Sequence, residues 1–350
     1  MFFASDNWAG AHPAVAASLA QHAGGYASPY GTSELDKAVE QRFAELFERD
    51  IAVFFVATGT AANSLALATA AKPGGVVFAH RESHVVADEC GAPEFLGGGL
   101  RLNQVPGREG KMTPDGLAGA IARYPAGSVH AGQPAAVTLT QATEIGTVYS
   151  LDEIAALAEL AHASDLPVHV DGARFANAVV RLGVSPAQMT WRAGVDVLSF
   201  GGTKNGCWCA EAVVFFDPAM AAQAPFLRKR SAHLLSKSRF VAAQFAAYLH
   251  EGIWLENARH ANAMAARLAD VARTSNGLGL AWEPEANEVF ITMHSAEADR
   301  LRTAGAVFYQ WPVPVDHAGD FDAKTVLGRF VTSFATTAED IDRFAAIAAP

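Results

Sequence analysis

Short apolar runs alternate with longer, alanine-rich stretches through the first two-thirds of the chain. An apolar run of about four to eight residues is typical of a buried strand, whereas a longer stretch with a period of about 3.6 is typical of a helix. The runs predict strands at 53–57, 75–79, 135–140, 168–170, 195–200 and 212–216. Helices are predicted between them at 61–71, 84–89 and 151–163. This alternation predicts an α/β fold in which helices cover both faces of a mostly parallel sheet.

The pattern changes near residue 238. Two long alanine-rich helices are predicted at 239–249 and 254–273, then strands at 288–293, 306–311 and 329–333. A terminal helix is predicted from Ala338, with Thr337 as its N-cap. We therefore expect an N-terminal arm and a large domain over 1–240, and a smaller α+β C-terminal domain over 241–350. No internal repeat or glycine- and serine-rich linker marks the boundary.

Composition narrows the class of protein. The chain has 350 residues, of which 51% are hydrophobic and 18% charged, so it is long enough for a large core. A net charge of −10 argues against nucleic acid or an anionic membrane as a partner. No run reaches the ~18 apolar residues of a membrane span, and no basic segment precedes an apolar one at the N-terminus. We expect a cytoplasmic protein. The three cysteines have no zinc-site spacing, so no metal site is predicted.

Two of the predicted strands end in residues with distinct chemistry. The strand at 195–200 leads through Gly201 and Gly202 to Lys204, and the strand at 168–170 ends at Asp171. Either feature alone is equally typical of an ordinary turn. Ligands of parallel sheets bind at the carboxyl ends of the strands, so the two together favour one site. A lysine that can form a Schiff base and a carboxylate that keeps a pyridine nitrogen protonated are the pair that holds pyridoxal 5'-phosphate (PLP).

A third strand, at 53–57, is followed by Thr58, Gly59 and Thr60 and then by an alanine-rich helix. Backbone N–H groups at a helix N-terminus bind an anion without a cationic side chain. The segment has neither the G-x-G-x-x-G pattern of dinucleotide sites nor the lysine of a Walker A loop. It therefore fits a single phosphate better than a pyrophosphate, and a plain helix N-cap remains the alternative.

Together these motifs resemble those of the low-specificity L-threonine aldolases, PLP-dependent enzymes of the aspartate-aminotransferase-like superfamily (fold type I). The resemblance extends nearly from end to end and is weaker in the final third. The matching stretches are 3–7, 58–63, 84–94, 140–146, 171–175 and 199–206. The last of these is the most specific. The resemblance implies a PLP-dependent transferase-like fold and cleavage of L-threonine, L-allo-threonine or related β-hydroxy-α-amino acids to glycine and an aldehyde.

The resemblance also implies roles for individual residues. Lys204 would carry the cofactor, Asp171 would pair with its pyridinium nitrogen, and His84 would stack on its ring. The cofactor phosphate would be held by residues from three segments. These are Thr58, Gly59, Thr60, Thr203 and, from a basic stretch at 228–239, Arg239. In the family a residue of this stretch often comes from the neighbouring subunit, so a homodimer or homotetramer with shared active sites is expected.

The substrate's carboxylate would contact Arg174, Arg329 and Ser5, with Arg329 opening a small-domain strand. Tyr30 is a further candidate, although the acidic pair that many family members carry after this tyrosine and its glycine is absent here. Other branches have a histidine where this chain has Glu144. The base for the β-hydroxyl group therefore stays open between Glu144, His84 and a bound water.

Three other functions remain as alternatives at this stage. Within the same cofactor class, the chain would be a β-eliminating lyase or an aminotransferase that acts on a small amino acid. An NAD-dependent oxidoreductase is disfavoured by the missing dinucleotide motif and by the pair of Asp171 and Lys204. A non-catalytic scaffold with the same fold would have little reason to keep Lys204.

Overall fold

The computed structural model describes residues 1–322 and 324–348. Its α-helices, in chain order, are α1 Pro13–Gln21, α2 Glu34–Phe47, α3 Gly59–Thr69, α4 His84–Ala87, α5 Ala92–Leu96, α6 Pro114–Ala122, α7 Leu151–His162, α8 Phe175–Leu182, α9 Ala224–Arg230, α10 Arg239–Tyr248, α11 Ile253–Thr274, α12 Ser295–Thr303 and α13 Ala338–Ala348. Its strands are β1 Ala52–Val56, β2 Gly75–His80, β3 Arg101–Val105, β4 Gly107–Arg108, β5 Lys111–Met112, β6 Gln133–Thr140, β7 Val168–Gly172, β8 Val197–Gly201, β9 Glu211–Phe215, β10 Leu278–Leu280, β11 Glu288–His294, β12 Tyr309–Trp311 and β13 Thr325–Val331.

The larger sheet has seven strands in the order β1-β9-β8-β7-β6-β2-β3. Strand β9 runs antiparallel to both of its neighbours, and the remaining strand pairs are parallel. Every residue of β2, β7, β8 and β9 is buried, as expected of strands covered by helices on both faces. The α/β fold with a mostly parallel sheet is thus confirmed.

A second, four-stranded sheet is antiparallel, in the order β10-β11-β13-β12. Its apolar core contains Val289, Ile291 and Phe330 and is separate from the core of the large sheet. Phe3 packs in this second core, and its backbone bonds to Val331 over 2.7 Å. The first residues of the chain thus lie against its last strand. The boundary near residue 240 stays a prediction.

Most predicted elements occur within a few residues of their expected bounds, and the exceptions lie in the C-terminal third. The strand predicted at 329–333 begins at Thr325, so Arg329 lies inside it rather than opening it. Gly328 and Thr325 weakened the apolar signal there. The strand predicted at 306–311 is only Tyr309–Trp311, because Val307 bonds instead to the N-terminal segment. No helix among the described residues is long and apolar enough to cross a membrane.

Candidate active site

A cavity of about 270 Å³ lies where β1, β7 and β8 end. It is lined by Asn7, Ala57, Thr58, Gly59, Thr60, Asn63, His84, Asp171, Ala173, Thr203, Lys204 and Glu211. The residues predicted to hold the cofactor within one chain are therefore together at the carboxyl edge of the parallel strands. Asn63 and Glu211 were not predicted as site residues.

The N-terminus of α3 forms one end of this cavity. Thr58 is extended, with φ −139°, and its Oγ1 accepts a hydrogen bond from the Ala61 N–H over 3.2 Å. Its carbonyl accepts the first helical bond, from Ala62. The amides of Gly59 and Thr60 belong to the first turn, where an α-helix supplies no internal acceptor, and both residues line the cavity. This end offers N–H groups and hydroxyls to an anion.

Lys204 lies in a single 3-10 turn, Thr203–Asn205, directly after β8. The approach to this turn needs glycine, since a Cβ on Gly202 would lie 2.7 Å from the Ala210 carbonyl oxygen. The Asn205 amide donates to the Tyr248 hydroxyl over 2.6 Å and to the Trp254 carbonyl over 2.8 Å. Buried anchors on the following residue thus fix the position of the lysine backbone.

Asp171 and His84 belong to one buried hydrogen-bond network. The Asn63 amide donates to Asp171 Oδ2 over 2.9 Å and to Glu89 Oε1 over 2.8 Å. The same Glu89 oxygen lies 2.8 Å from His84 Nδ1. This contact raises the pKa of His84, and burial raises the pKa of Glu89. Asn63 and Glu89 lie inside the matching stretches 58–63 and 84–94, but no local pattern there indicates these contacts.

The same network bears on metal binding. The ligand atoms of His84, Glu89 and Asp171 all lie within 4.8 Å of one another. However, the Asn63 N–H groups lie between the two carboxylates and donate to both. A donor at that place satisfies the charges by hydrogen bonding and would repel a cation, so these residues fit a network better than a coordination site.

A second group of charges is buried beside the cavity. Arg174 donates to both oxygens of Asp6, over 2.8 and 3.0 Å. Its Nη2 lies 3.3 Å from Glu288 Oε1, and Arg329 Nη2 contacts that same oxygen. Burial opposes ionisation of Asp6, but the charges of Arg174 and Lys204 prevail and lower the pKa of Asp6 to about 2. Two guanidinium groups are therefore held side by side by two carboxylates.

These arginines retain donors for a further anion. Arg174 Nη1 and Arg329 Nε are buried and have no hydrogen-bond partner among residues 1–322 and 324–348. Arg329 also packs against Trp311, with its guanidinium carbon 4.6 Å from the ring centre. A buried guanidinium donor without an acceptor lowers the stability of the fold. A carboxylate bound here would accept from these donors and remove that cost.

Glu144 is buried beside the same charges. Burial opposes its ionisation, but the positive charges of Lys204 and Arg174 outweigh this effect and lower the pKa of Glu144. Its Oε1 has no hydrogen-bond partner in the described part of the chain. Its side chain also lines a neighbouring cavity of about 320 Å³, together with Trp311. The residue is thus an ionised carboxylate close to Lys204.

Three predicted residues belong neither to the cavity lining nor to the buried charges beside it. Ser5 Oγ accepts from the Asn7 N–H over 3.1 Å and lines a separate cavity. Arg239 Nη1 donates to the Gly25 carbonyl over 3.2 Å. Tyr30 is 49% exposed and has a positive φ of 62°. Their roles stay predictions.

Comparison with known proteins gives consistent matches. A family model described as beta-eliminating lyase matches residues 3–296. The low specificity L-threonine aldolase of Pseudomonas aeruginosa is 42% identical over 308 residues, which is 88% of this chain and 88% of that relative. A protein of the same description from a Pseudomonas species is 40% identical over 307 residues, again 88% of each. A solved structure of Leishmania major threonine aldolase superimposes with a TM-score of 0.91 and 26% identity, covering 99% of this chain and 97% of that one.

Proposed function

We propose that this chain, which belongs to the beta-eliminating lyase family and within it to the low specificity L-threonine aldolases, cleaves L-threonine and related β-hydroxy-α-amino acids to glycine and an aldehyde. The observation that carries the proposal is the position of Lys204. It lies in one cavity with Asp171, His84 and the N-terminus of α3, beside two buried arginines that retain free donors.

The lining residues fit PLP as the cofactor. Thr58, Gly59, Thr60 and Thr203 form what we call the phosphate end, where hydroxyls and helix N–H groups suit a phosphate. Asp171 supplies a carboxylate for the ring nitrogen. Lys204 supplies the amine that would hold the aldehyde, and the imidazole of His84, which lines the same cavity, would stack on the ring. When bound, PLP supplies an electron-accepting ring that makes a bond to Cα easier to break.

Arg174 and Arg329, with their partners Asp6 and Glu288, form what we call the carboxylate end. The two arginines bind the substrate's carboxylate through the donors that remain free. The free donors that the structure leaves are Arg174 Nη1 and Arg329 Nε, one on each guanidinium, and two donors from separate side chains fix the orientation of a carboxylate as well as its position. That orientation sets which bond to Cα is cleaved, so the carboxylate end selects Cα–Cβ cleavage.

We assign acceptance of the β-hydroxyl proton to Glu144. Its Oε1 has no partner among the described residues, and the surrounding cations keep it ionised. His84 is less suited, because its Nδ1 is engaged with Glu89 and its raised pKa favours the protonated form. If Glu144 is the acceptor, Glu144→Gln lowers kcat far more than it changes KM, whereas His84→Asn does not reproduce this split.

The active unit in this proposal is a homodimer or homotetramer, because Arg239 and Tyr30 lie outside the cavity of their own chain and would reach a partner's cavity. Mixing Arg239→Ala with Lys204→Ala protomers then restores part of the activity, since one cavity of the hybrid has both residues intact. No recovery after confirmed subunit exchange would contradict it. We also keep the division at residue 240, which puts Arg174 and Arg329 in different domains. The cytoplasmic location stays a prediction.

Product analysis tests the proposed reaction. Purified protein with PLP and L-threonine should release glycine and acetaldehyde in equal amounts, without ammonia. A β-eliminating lyase would release ammonia and a keto acid, and an aminotransferase would require an acceptor keto acid. Lys204→Ala in the same assay controls for reaction by free PLP. Ammonia as the main product would overturn the proposal.

A further inference from the structure

Glu211 is a carboxylic acid at the phosphate end of the cavity. It is the first residue of β9 and pairs with Val56, the last residue of β1, and with Gly201, the last residue of β8. Strand β1 leads into Thr58 and strand β8 leads into Lys204. Glu211 therefore lies between the segment that begins α3 and the turn that holds the lysine, and it lines the same cavity as both.

The side chain of Glu211 is buried without a cationic partner. The residue is 6% exposed, and its Oε1 accepts from the Thr203 N–H over 3.3 Å. Among residues 1–322 and 324–348, no lysine, arginine or histidine forms an ion pair with it. An ionised carboxylate here would repel a phosphate dianion bound in the same cavity, which is unfavourable.

The groups that face Glu211 do not remove this conflict. The neighbouring strands β1 and β8 and the helix α3 carry no titratable side chain. The titratable groups that influence it, or that it influences, come from other elements. They are Lys204 in its own turn, Asp171 on β7, Cys207 before β9, and Tyr248 on α10. Of these groups of the same chain only Lys204 is cationic, and it is the group that would bond to the aldehyde. Arg239 of the partner subunit, as proposed above, would add one positive charge against the two negative charges of the phosphate, so an ionised Glu211 stays unfavourable.

We propose that Glu211 holds a proton when the cofactor is bound and donates it to a phosphate oxygen, so that cofactor binding takes up one proton above neutral pH. The inference rests on the proposed function, since it requires PLP in this cavity. A protonated carboxyl carries no charge and donates one hydrogen bond, so it adds a donor for the phosphate beside the α3 N–H groups, whereas an ionised carboxylate would repel the phosphate. Glu211 then acts as a cofactor-binding residue.

The electrostatics of the site agree with this arrangement. Burial raises the pKa of Glu211 to about 7, although hydrogen bonds from Thr203 lower it in part. A phosphate monoester loses its second proton near pH 6. Above pH 7 both groups are therefore charged before binding, and one must take up a proton on association. Affinity should change little between about pH 6 and 7 and fall by up to about tenfold per pH unit above pH 7.

Two other groups require controls. The amine of Lys204 makes aldehyde binding pH-dependent by itself, so the probe is pyridoxine 5'-phosphate, which has no aldehyde. His233 lies near the phosphate end, with its Nδ1 3.5 Å from the Ala57 nitrogen. Burial lowers its pKa, which puts its titration below the range where Glu211 changes. The variant His233→Gln is therefore the matched control.

The experiment is calorimetric titration of the full chain with pyridoxine 5'-phosphate at about pH 8.5, in two buffers with different protonation enthalpies. We expect Glu211→Gln to take up about one proton fewer than wild type, and His233→Gln to match wild type. Proton uptake at the ring nitrogen is common to all three proteins and cancels. We also expect Glu211→Gln to bind at least tenfold more tightly than wild type at this pH.

Equal proton uptake in wild type and Glu211→Gln would overturn the inference. So would weaker binding in Glu211→Gln at every pH, which would indicate an ionised Glu211 paired with a partner's arginine. If the variant does not fold, the pH dependence of the wild-type affinity is the test. A wild-type affinity that does not change between pH 7 and 9 contradicts the inference. Absence of any binding, together with no PLP adduct at Lys204, would instead refute the proposed function.

Discussion

The two ends of the candidate site would bind an anion by different means. The phosphate end uses hydroxyls and the N-terminus of α3, and it includes the acid Glu211. The carboxylate end uses Arg174 and Arg329, whose charges are balanced by Asp6 and Glu288. Helix dipoles are fixed by the backbone and have the same sign at any pH. Buried guanidinium groups, in contrast, require partners that keep them compensated and oriented.

This difference predicts which end tolerates substitution. At the phosphate end the donors are mainly backbone groups, so single side-chain changes should cost little. At the carboxylate end each charge is compensated by an opposite one. Removing one partner of a buried pair leaves the other uncompensated, which lowers the free energy of unfolding by about 3–5 kcal/mol. Changes there should weaken substrate binding and leave cofactor affinity nearly intact. The predictions below test this division.

The largest effect is expected between the two ends, at Lys204. Lys204→Ala removes the amine that bonds to the cofactor and should lower kcat by about 10⁴-fold or more. The phosphate end is unchanged, so pyridoxine 5'-phosphate should still bind with nearly wild-type affinity. Steady-state kinetics and calorimetry measure the two quantities. A kcat within tenfold of wild type would show that Lys204 does not bond to the cofactor during turnover.

Arg174→Lys tests the carboxylate end. Lysine keeps the charge but loses the paired N–H groups that contact Asp6, so KM for threonine should rise about 30- to 100-fold. Affinity for pyridoxine 5'-phosphate should stay within about threefold. Arg181→Lys is the matched control, because Arg181 on α8 is 53% exposed and its ion pair with Glu285 is long, at 3.8 Å. An unchanged KM in Arg174→Lys would mean that the substrate's carboxylate binds elsewhere.

Glu288→Gln tests whether one carboxylate orients both arginines. Its Oε1 contacts Arg174 and Arg329, so loss of its charge should raise KM about tenfold, which corresponds to about 1.4 kcal/mol. An amine without a carboxylate, such as ethanolamine, should perturb the visible spectrum of wild type and variant alike. Glu283→Gln, at a position exposed on the surface, is the control. Glycine, which has a carboxylate, should perturb the spectrum of the variant less than that of wild type. If the variant loses its response to glycine and to ethanolamine equally, the substitution has damaged the site in general.

Thr58→Ala tests the phosphate end. The substitution removes the hydroxyl that caps α3, which costs about 1 kcal/mol of helix stability and should weaken cofactor binding about fivefold. Thr58→Ser keeps the cap and should restore the affinity. KM for threonine should not change in either variant. A loss of cofactor affinity beyond a hundredfold would show that this end depends on side chains as strongly as the other.

The smallest effect on activity is expected beneath both ends, at His169. This buried ring contacts Thr138 Oγ1 over 2.8 Å and Ser199 Oγ over 2.9 Å, and burial lowers its pKa to about 3. The unfolded chain binds a proton near pH 6.5 and the folded one does not, so stability falls as pH falls from 6.5 towards 3. His169→Gln should lose less stability over this range, by up to about 4 kcal/mol in urea unfolding. An identical pH dependence would contradict a neutral His169.

Sequence patterns predicted the large sheet and the place where the candidate cofactor residues meet, because both follow from local signals. Apolar runs mark the strands, and residues just past parallel strands meet at one edge, as Lys204 and Asp171 do. The acidic partners were missed because their contacts are distant along the chain. Asp6 and Arg174 are 168 positions apart, and nothing in their own neighbourhoods encodes the pair. A buried glutamate such as Glu211 likewise gives the same local signal as an exposed one.

The most direct test of the account is the position of the cofactor's covalent bond. The protein is incubated with PLP, reduced with borohydride, digested and analysed by peptide mass spectrometry. The account predicts one pyridoxyl group per chain, on the peptide that contains Lys204, and none in Lys204→Ala treated in the same way. A modified lysine elsewhere, or equal labelling of the variant, would contradict it.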